Sequence, residues 1–303
     1  MSEAIVTIAC PTFNHEEYIK QCLDSLLMQK TTFSFKILIH DDASTDSTPN
    51  IIKDYHKRYP DIIIPIYQKN NQHSLGINNV SIIFPLIKTK YIAICEGDDY
   101  WIDPFKLQKQ VDFLEKNNDY IIHSGSAKII RDNLMTDEII GAHDFTPKTF
   151  QLEDFLHQNN LVSCTVLFRN IINKNDLDFF RNVVFGDWYL YALLLNKSQK
   201  KAYRSKDILS VYRIHDKGVH GGMSLLVNYN TYINQILIIK DTIKYKGTSK
   251  LVSDSLNFYS VESFKIYYKE KQYISSLKTF DYNFYLSGFK MSLKKYFKVF
   301  FKL

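Results

Sequence analysis

The sequence predicts an α/β fold with a mostly parallel sheet flanked by helices, followed by a helical extension. In the first 120 residues, short apolar segments alternate with segments whose apolar residues recur at helical spacing, which is the order of a βαβ fold. From about Ser224 onward the pattern is helical and rich in Lys and Tyr. A chain of 303 residues, 45% of them apolar, suffices for one large domain or two modest ones.

Four predicted strands and four predicted helices alternate in the first 120 residues. The strands are Ile5–Ala9, Phe35–His40, Ile62–Tyr67 and Tyr91–Ile94. The helices are Tyr18–Leu27, Asn50–Arg58, Gly76–Leu86 and Pro104–Asn117. Ser47, Thr48 and Pro49 are typical of a helix start, whereas Pro85 ends or kinks the third helix.

Beyond Tyr120 the alternation is less regular. We predict, in order, a strand over residues 120–130, a loop over 131–150, a strand at Leu161–Arg169, a helix at Phe185–Asn196 and a strand at Ile208–Ile214. A domain boundary is predicted near residues 222–230. It divides the chain into residues 1–224, with parts 1–120 and 121–224, and an extension of residues 225–303.

Polar and acidic residues follow the predicted strands. Strand one ends in Pro11-Thr12-Phe13-Asn14, strand two in Asp41-Asp42, strand three in Gln68-Lys69-Asn70-Asn71 and strand four in Glu96-Gly97-Asp98-Asp99. The carboxyl ends of parallel strands meet at one edge of a sheet, where such sheets bind ligands. Acids packed this closely repel, and a hard divalent cation that also holds phosphate oxygens relieves the repulsion. We therefore expect a phosphate-bearing substrate at this edge.

Several familiar features are absent from the sequence. There is no GxGxxG or GxxxxGK[ST] pattern, so no glycine-rich cradle for phosphates is predicted. The four cysteines follow no metal-ligand spacing and are expected to be buried thiols of a reducing cytosol. No apolar run reaches the length of a membrane span. A strand-like segment begins almost at the first residue, so no signal peptide is expected.

The motifs together resemble family 2 glycosyltransferases of the GT-A fold, over roughly residues 4–222. The resemblance lies in Pro11–Asn14, His40–Thr48, Glu96–Trp101 and Asp103–Gln110, with Glu96 in place of the first Asp of the family's DxD metal motif. It implies inverting transfer of a sugar from a nucleoside-diphosphate sugar, with a UDP-sugar favoured. Mn²⁺ or Mg²⁺ is the implied cofactor. The implied acceptor is a hydroxyl of a saccharide or a lipid-linked saccharide, in the synthesis of a surface polysaccharide such as capsule, lipopolysaccharide or teichoic acid.

The resemblance also implies roles for individual residues. The residues expected to bind the donor nucleotide are Pro11, Thr12, Asn14, Asp41, Asp42, Asn71, Asp98 and Arg213. Asp99, with Asp98 and His215, is expected to hold the metal. Residues 185–188, Phe-Gly-Asp-Trp, resemble the segment that carries the catalytic base, which gives Asp187 that role. Residues 211–215, followed by Gly218, resemble the segment that closes over the diphosphate.

Other interpretations of these residues stay open. Asp187 also fits an acid at a helix start, His215 an ordinary loop histidine and Arg213 a structural ion-pair residue. A nucleotidyltransferase that uses a sugar phosphate would need a similar acidic edge, and it would release pyrophosphate from a nucleoside triphosphate. A non-catalytic sugar-nucleotide-binding assembly partner would keep the donor site without turnover.

The net charge of +6 is unevenly placed. Residues 225–303 hold 13 Lys and no Arg against five acids, and Lys290–Leu303 holds five Lys, no acid and several large apolar residues. Such a tail predicts peripheral contact with an anionic membrane, with the protein expected in the cytoplasm or on the inner face of the cell membrane. A solvated helix face or a frayed chain end is the alternative. Nucleic acid is not expected, because no motif for it is present, and a homo-oligomer stays open.

Overall fold

The computed structural model describes residues 3–141, 146–180, 183–215, 224–243 and 250–270. Two compact units are present. The first contains Met1–Leu152 and Asn160–His215, and the second contains Glu153–Asn159 and Asp216–Leu303. The predicted boundary near residues 222–230 begins within a stretch outside the described residues, and so does Gly218. The basic tail Lys290–Leu303 also lies outside them.

Strands and helices alternate through the first unit. Its strands are β1 (Val6–Thr12), β2 (Phe35–Asp41), β3 (Ile63–Tyr67), β4 (Tyr91–Ile94), β5 (Tyr100–Trp101), β6 (Tyr120–Arg131), β7 (Leu134–Ile140), β8 (Lys148–Phe150), β9 (Leu167–Arg169) and β10 (Lys201–Ile214). The helices among the described residues of the chain are α1 (Ile19–Leu27), α2 (Thr48–Arg58), α3 (Asn79–Ile83), α4 (Lys106–Lys116), α5 (Leu152–Phe155), α6 (Lys174–Leu177), α7 (Gly186–Ser198), α8 (Leu225–Ile243) and α9 (Lys250–Lys269).

One sheet connects all of these strands, in the order β3-β2-β1-β4-β9-β6-β10-β5, with β7 beside β6 and β8 beside β10. The four strands from β3 to β4 pair in parallel, and so do β6 and β10. The joins through β9 and the pairing of β5 with β10 are antiparallel. Because β1, β2 and β4 are parallel, their carboxyl ends lie at the same edge of the sheet, as predicted.

The core explains why strands β1 to β4, one half of the sheet, form as predicted. In β1, the central strand of this half, Val6, Ile8 and Cys10 are fully buried, and so are the facing residues Ile19 and Leu23 of α1. A parallel strand covered on both faces is expected to be apolar along its whole length. The apolar run of β1 and the helical spacing in α1 therefore carry enough information to predict both elements.

Three predictions from the periodicity were wrong in detail. Residues 131–150, predicted as a loop, contain β7 and β8. The predicted helix Gly76–Leu86 is broken into α3 and a 3-10 turn at Phe84–Leu86, with Pro85 near the start of that turn. The predicted strand Leu161–Arg169 is a strand only from Leu167, after a 3-10 turn at Ser163–Thr165. β7 is largely exposed, so its sequence carries no apolar face to reveal it.

The described part of the second unit contains a helical hairpin. Its helices α8 and α9 pack against each other through aromatic rings, and Tyr232 and Tyr259 are stacked with their centroids 5.1 Å apart. The amide of Asn230 donates to the hydroxyl of Tyr267 over 3.0 Å. Among the described residues, no helix combines the length and apolar character that crossing a membrane requires.

Candidate active site

The candidate site lies at the carboxyl edge of β1, β2 and β4. Thr12 at the end of β1 is the registered partner of Asp41 at the end of β2. The backbone N–H of Asp42 donates to the carbonyl of Thr12 over 3.0 Å, and that of Gly97 donates to the carbonyl of Pro11 over 2.9 Å. Three tips that are up to 86 positions apart in sequence thus form one surface.

Gly97 allows the acidic turn to lie directly against β1. A Cβ atom at this position would be 2.5 Å from Thr12 Oγ1 and 2.7 Å from Thr12 Cβ, distances that real Cβ atoms do not show. It would also be 3.0 Å from the Nδ1 atom of His15. The glycine therefore permits the close approach of the turn to the β1 tip and to His15.

Two histidines and one aspartate meet beside this turn. His215 Nε2 lies 3.1 Å from Asp98 Oδ2, and His15 Nε2 lies 3.7 Å from the same oxygen. One ligand atom from each of the three residues lies within 4.8 Å of the others. Imidazole nitrogens and a carboxylate oxygen are suitable ligands for a divalent transition-metal ion. Asp98 and His215 were predicted from the sequence to bind metal, but His15 was missed although it directly follows the Pro11–Asn14 motif.

The electrostatics of Asp98 reflect its two histidine neighbours. Burial pushes the pKa of this carboxyl up, but the hydrogen bond with His215 and the nearby charge of His15 outweigh it, so the pKa lies below the usual value. An aspartate with a lowered pKa stays ionised at neutral pH. Asp98 is therefore ready to bind a cation.

Asp99 is fastened to the end of β10. Its Oδ1 accepts a hydrogen bond of 2.8 Å from the backbone N–H of Arg213, and its buried Oδ2 has no partner within the described part of the chain. Burial raises its pKa well above the usual value, and the charges of Asp98 and Glu96 add to the shift. The metal role predicted for Asp99 stays a prediction, while the observed contact fastens the turn to the end of β10.

Arg213 places its guanidinium beside two aromatic rings, 4.8 Å from the ring centroid of Tyr18 and 5.4 Å from that of Tyr100. One guanidinium nitrogen also donates to the side chain of Gln21. These contacts hold the positively charged guanidinium of Arg213 near the acidic turn. The sequence predicts that Arg213 binds the donor nucleotide.

The residues predicted for nucleotide binding also hold the surrounding loops. Both carboxylate oxygens of Asp42 accept backbone N–H groups, from Gln72 at 2.7 Å and His73 at 3.0 Å. The Asn71 amide donates to the carbonyl of Asp42 over 3.1 Å. Asn14 Oδ1 accepts the N–H of Thr45 over 2.8 Å. The tips of β1, β2 and β3 are therefore joined by the side chains that the sequence singles out.

Asp41 differs from its neighbour Asp42. It is buried, and within the described residues its Oδ1 has no hydrogen-bond partner. Burial raises its pKa, although hydrogen bonds from Ser44 act in the opposite direction. A buried polar atom of this kind normally finds a partner, and a bound base that donates an N–H would supply one.

Asp187 lies in the first turn of α7, near enough to Glu96 for the two charges to interact. Burial raises the pKa of Glu96 to about 7, and the charges of Asp98 and Asp187 contribute to the shift. Where two acids are neighbours, the more enclosed one takes the proton first. Asp187 is only half-buried and lies at a helix N-terminus, which favours its ionised form.

A cavity of about 860 Å³ lies between residues 75–88 and residues 172–178. Asn78 lines it, and the amide of the same residue approaches the start of α7 so closely that a Cβ on Gly186 would lie 2.5 Å from its Nδ2. None of the predicted site residues lines this cavity, but its wall touches the residue that precedes Asp187.

The sheet and its acid-lined edge define an α/β protein with a ligand site at the carboxyl ends of parallel strands. The family described as Glycosyl transferase family 2 matches residues 7–175. The chain belongs to this family, which confirms the resemblance seen in the motifs. Its fold is the GT-A fold of glycosyltransferases.

Three known proteins illustrate the similarity. An uncharacterized protein of Mycobacterium tuberculosis is 31% identical over 219 residues, which are 71% of this chain and 60% of that protein. The UDP-Glc:alpha-D-GlcNAc-diphosphoundecaprenol beta-1,3-glucosyltransferase WfgD of Escherichia coli is 25% identical over 72% of this chain and 81% of its own length. The mannosyltransferase PcManGT of Pyrobaculum calidifontis, solved with GDP-Man and Mn²⁺, superimposes with a TM-score of 0.59 and 13% identity, over 97% of this chain and 79% of PcManGT.

Proposed function

We propose that the protein is an inverting, metal-dependent glycosyltransferase that moves a sugar from a nucleoside-diphosphate sugar to a hydroxyl group. The observation that carries the proposal is the edge of the sheet where Asp98 and His215 meet beside Asp41 and Asp42, with Asp187 close to Glu96 of the same turn. A nucleotide, a cation and an attacking hydroxyl each have suitable side chains within this one region.

Asp187 is the proposed general base. The acceptor oxygen attacks the anomeric carbon, the new carbon–oxygen bond forms as the bond to the diphosphate breaks, and Asp187 takes the hydroxyl proton. Attack from the face opposite the leaving group inverts the anomeric centre and requires a single carboxylate base. Burial raises the pKa of the neighbouring Glu96 to about 7, which limits the negative charge beside Asp187.

The departing diphosphate is handled at the other end of the site. Asp98 and His215, the proposed metal ligands, would hold Mn²⁺ or Mg²⁺, which neutralises the charge that builds up on the leaving group. Arg213, held by Tyr18 and Tyr100, adds a fixed positive charge near the acidic turn. At the base end, Thr12, Asp41 and Asp42 are the proposed contacts of the nucleobase.

The donor and acceptor classes rest on the relatives. WfgD uses UDP-Glc and a lipid-linked acceptor according to its name, and PcManGT was solved with Mn²⁺. We therefore propose a UDP-sugar as donor, a saccharide or lipid-linked saccharide as acceptor, and a surface polysaccharide as the product. The chain spans 60% of the length of the Mycobacterium relative. The activity that we assign to the whole protein is therefore a proposal.

Asp187→Asn and Asp98→Asn test the proposal as a pair, with Asp54→Asn as a control at an exposed ion-pair position on α2. Asp187→Asn should bind a UDP-sugar with Mn²⁺ normally and lose about 10²–10⁴-fold in transfer rate, because only the base is removed. Asp98→Asn should lose donor binding. Calorimetry measures the binding, and chromatography of released UDP measures the transfer.

Two results would contradict the proposal. Near-normal transfer by Asp187→Asn would remove it as the base. Release of pyrophosphate from a nucleoside triphosphate, with no nucleoside diphosphate formed from any sugar nucleotide, would instead identify a nucleotidyltransferase.

A further inference from the structure

We infer that His15 is a third metal ligand, which makes the site one of two histidines and one carboxylate and makes the protein selective for Mn²⁺ over Mg²⁺. This inference deepens the proposed function, because it concerns the metal of that site. It nevertheless stands on contacts that are independent of any sugar chemistry. His15 is 200 positions away from His215, and no motif in the sequence connects the two.

The geometry brings both imidazoles to one carboxylate oxygen. The Nε2 atoms of His15 and His215 lie 3.7 Å and 3.1 Å from Oδ2 of Asp98, and the two ring centroids are 6.3 Å apart. The three side chains are 13–18% exposed, so the ligand atoms are partly shielded yet open to an entering ion. A cation between the two imidazoles and the carboxylate would accept a ligand atom from all three side chains.

His15 is held in place by one contact of its ring and one contact of its backbone. Its Nδ1 lies 3.1 Å from Oγ1 of Thr12, and its backbone N–H donates to Oγ1 of Thr48 over 2.9 Å. A metal-binding histidine typically fixes its free ring nitrogen with such a partner, which orients the ring and sets the tautomer. In the tautomer that donates Nδ1–H to Thr12, Nε2 carries the lone pair that a metal ion beside Asp98 would accept.

Gly97 is part of the same arrangement. A side chain there would press on both Thr12 and Nδ1 of His15, so it would displace the histidine together with its partner. The close packing at this glycine therefore serves the position of His15 as well as the path of the turn.

The donor set has a chemical consequence. Mg²⁺ binds oxygen ligands and keeps much of its water, and it gains little from imidazole nitrogen. Imidazole suits the divalent transition metals, and a site with two histidines and one carboxylate favours them. We therefore expect loss of the His15 imidazole to weaken Mn²⁺ binding much more than Mg²⁺ binding.

The test uses the full chain and the metal ions alone, without nucleotide. Wild type, His15→Ala and the control His73→Ala, whose side chain is exposed, are titrated with Mn²⁺ and with Mg²⁺ by calorimetry. His15→Ala should weaken Mn²⁺ at least about tenfold and Mg²⁺ much less, and His73→Ala should match wild type. Pulsed electron paramagnetic resonance of the Mn²⁺ protein should show two coupled imidazole nitrogens in wild type and one in His15→Ala.

Each outcome has a defined meaning. Wild-type Mn²⁺ affinity in His15→Ala, or one coupled imidazole in wild type, overturns the inference. An equal loss of Mn²⁺ and Mg²⁺ also overturns it, because it would show that His15 only supports the fold of the turn. Two imidazoles in a protein that turns over no sugar nucleotide would leave the inference standing and contradict the proposed function instead.

Discussion

Gly97 shows how one residue controls the candidate site. The acidic turn can reach the β1 tip only because no side chain intervenes between Gly97 and Thr12. The same close approach leaves room for His15 beside Asp98. An added methyl group would act through packing, and it would leave every charged side chain of the site in the sequence.

We predict that Gly97→Ala lowers the unfolding free energy by about 1–3 kcal/mol and weakens Mn²⁺ binding, because Thr12 and His15 must move. Urea denaturation and calorimetric titration measure the two effects. Gly76→Ala is the control, because its backbone has φ of +75° but no atom lies within 4 Å of the added Cβ. It should cost stability through backbone strain alone, and unchanged Mn²⁺ affinity in Gly97→Ala would contradict the prediction.

Helix α4 contains a buried lysine that packs on Trp101, just after the acidic turn. Lys106 is fully buried, and its Nζ donates to Oε1 of Gln110 over 2.8 Å and lies 4.0 Å from the ring centroid of Trp101. Burial lowers its pKa to about 7. Helix α4 thus begins with a buried lysine whose charged form is destabilised by burial. The amphipathic pattern alone would predict a lysine exposed to solvent.

Lys106 should therefore contribute an unfolding free energy that rises with pH between about 7 and 10.5. In that range the unfolded chain holds the lysine proton and the folded protein does not, so raising the pH favours folding. Each unit of pKa difference corresponds to about 1.4 kcal/mol. Burial raises the pKa values of the Cys95 and Cys164 thiols, and hydrogen bonding with Cys10 raises the pKa of the buried Cys22 thiol. These thiols act in the opposite direction above about pH 8. Lys106→Met should lower the slope of unfolding free energy against pH, relative to wild type, in urea denaturation series from about pH 7 to about pH 8, below the range in which the unfolded thiols titrate.

The matched control on the same helix is Lys109→Met. Lys109 is half-exposed and pairs with Asp103, and the slope should persist when it is replaced. A slope equal to that of wild type in Lys106→Met would show that another group causes the pH dependence.

Every predicted site residue lies in the first unit, whereas the net positive charge of the chain comes from residues 225–303, which hold 13 Lys and five acids. We therefore expect donor and metal binding to depend on residues of the first unit. The membrane contact predicted from the sequence concerns Lys290–Leu303. This prediction rests on the lysines and large apolar residues of that segment.

Deleting residues 290–303 should leave Mn²⁺ and UDP affinities within about twofold of wild type and sharply reduce co-sedimentation with anionic vesicles, because attraction of clustered lysines to acidic lipid is worth about 1 kcal/mol each. Neutral vesicles and added salt are the controls, since salt screens this attraction. Equal co-sedimentation of both forms with anionic vesicles would exclude a tail anchor.

Much of the half of the sheet that contains β1 to β4 could be predicted from the sequence. The apolar runs of β1, β2 and β4 and the helical spacing of α1 and α4 are local patterns, and each is long enough to be unambiguous. The exposed strand β7 and the short turns around α3 could not be predicted, because their structure depends on backbone pairing and packing that leave no periodic trace. The GT-A fold class is confirmed, while the roles of individual site residues stay predictions.

The sequence by itself determined the order of β1 to β4 with α1, α2 and α4, the acids at the strand tips and the family to which the chain belongs. Only the tertiary structure decided that His15 joins Asp98 and His215, that Asp99 holds the backbone of Arg213, and that Glu96 lies near Asp187. The physical reason is that periodicity records the neighbours of a residue along the chain, whereas contacts between distant segments follow from how the sheet pairs and closes.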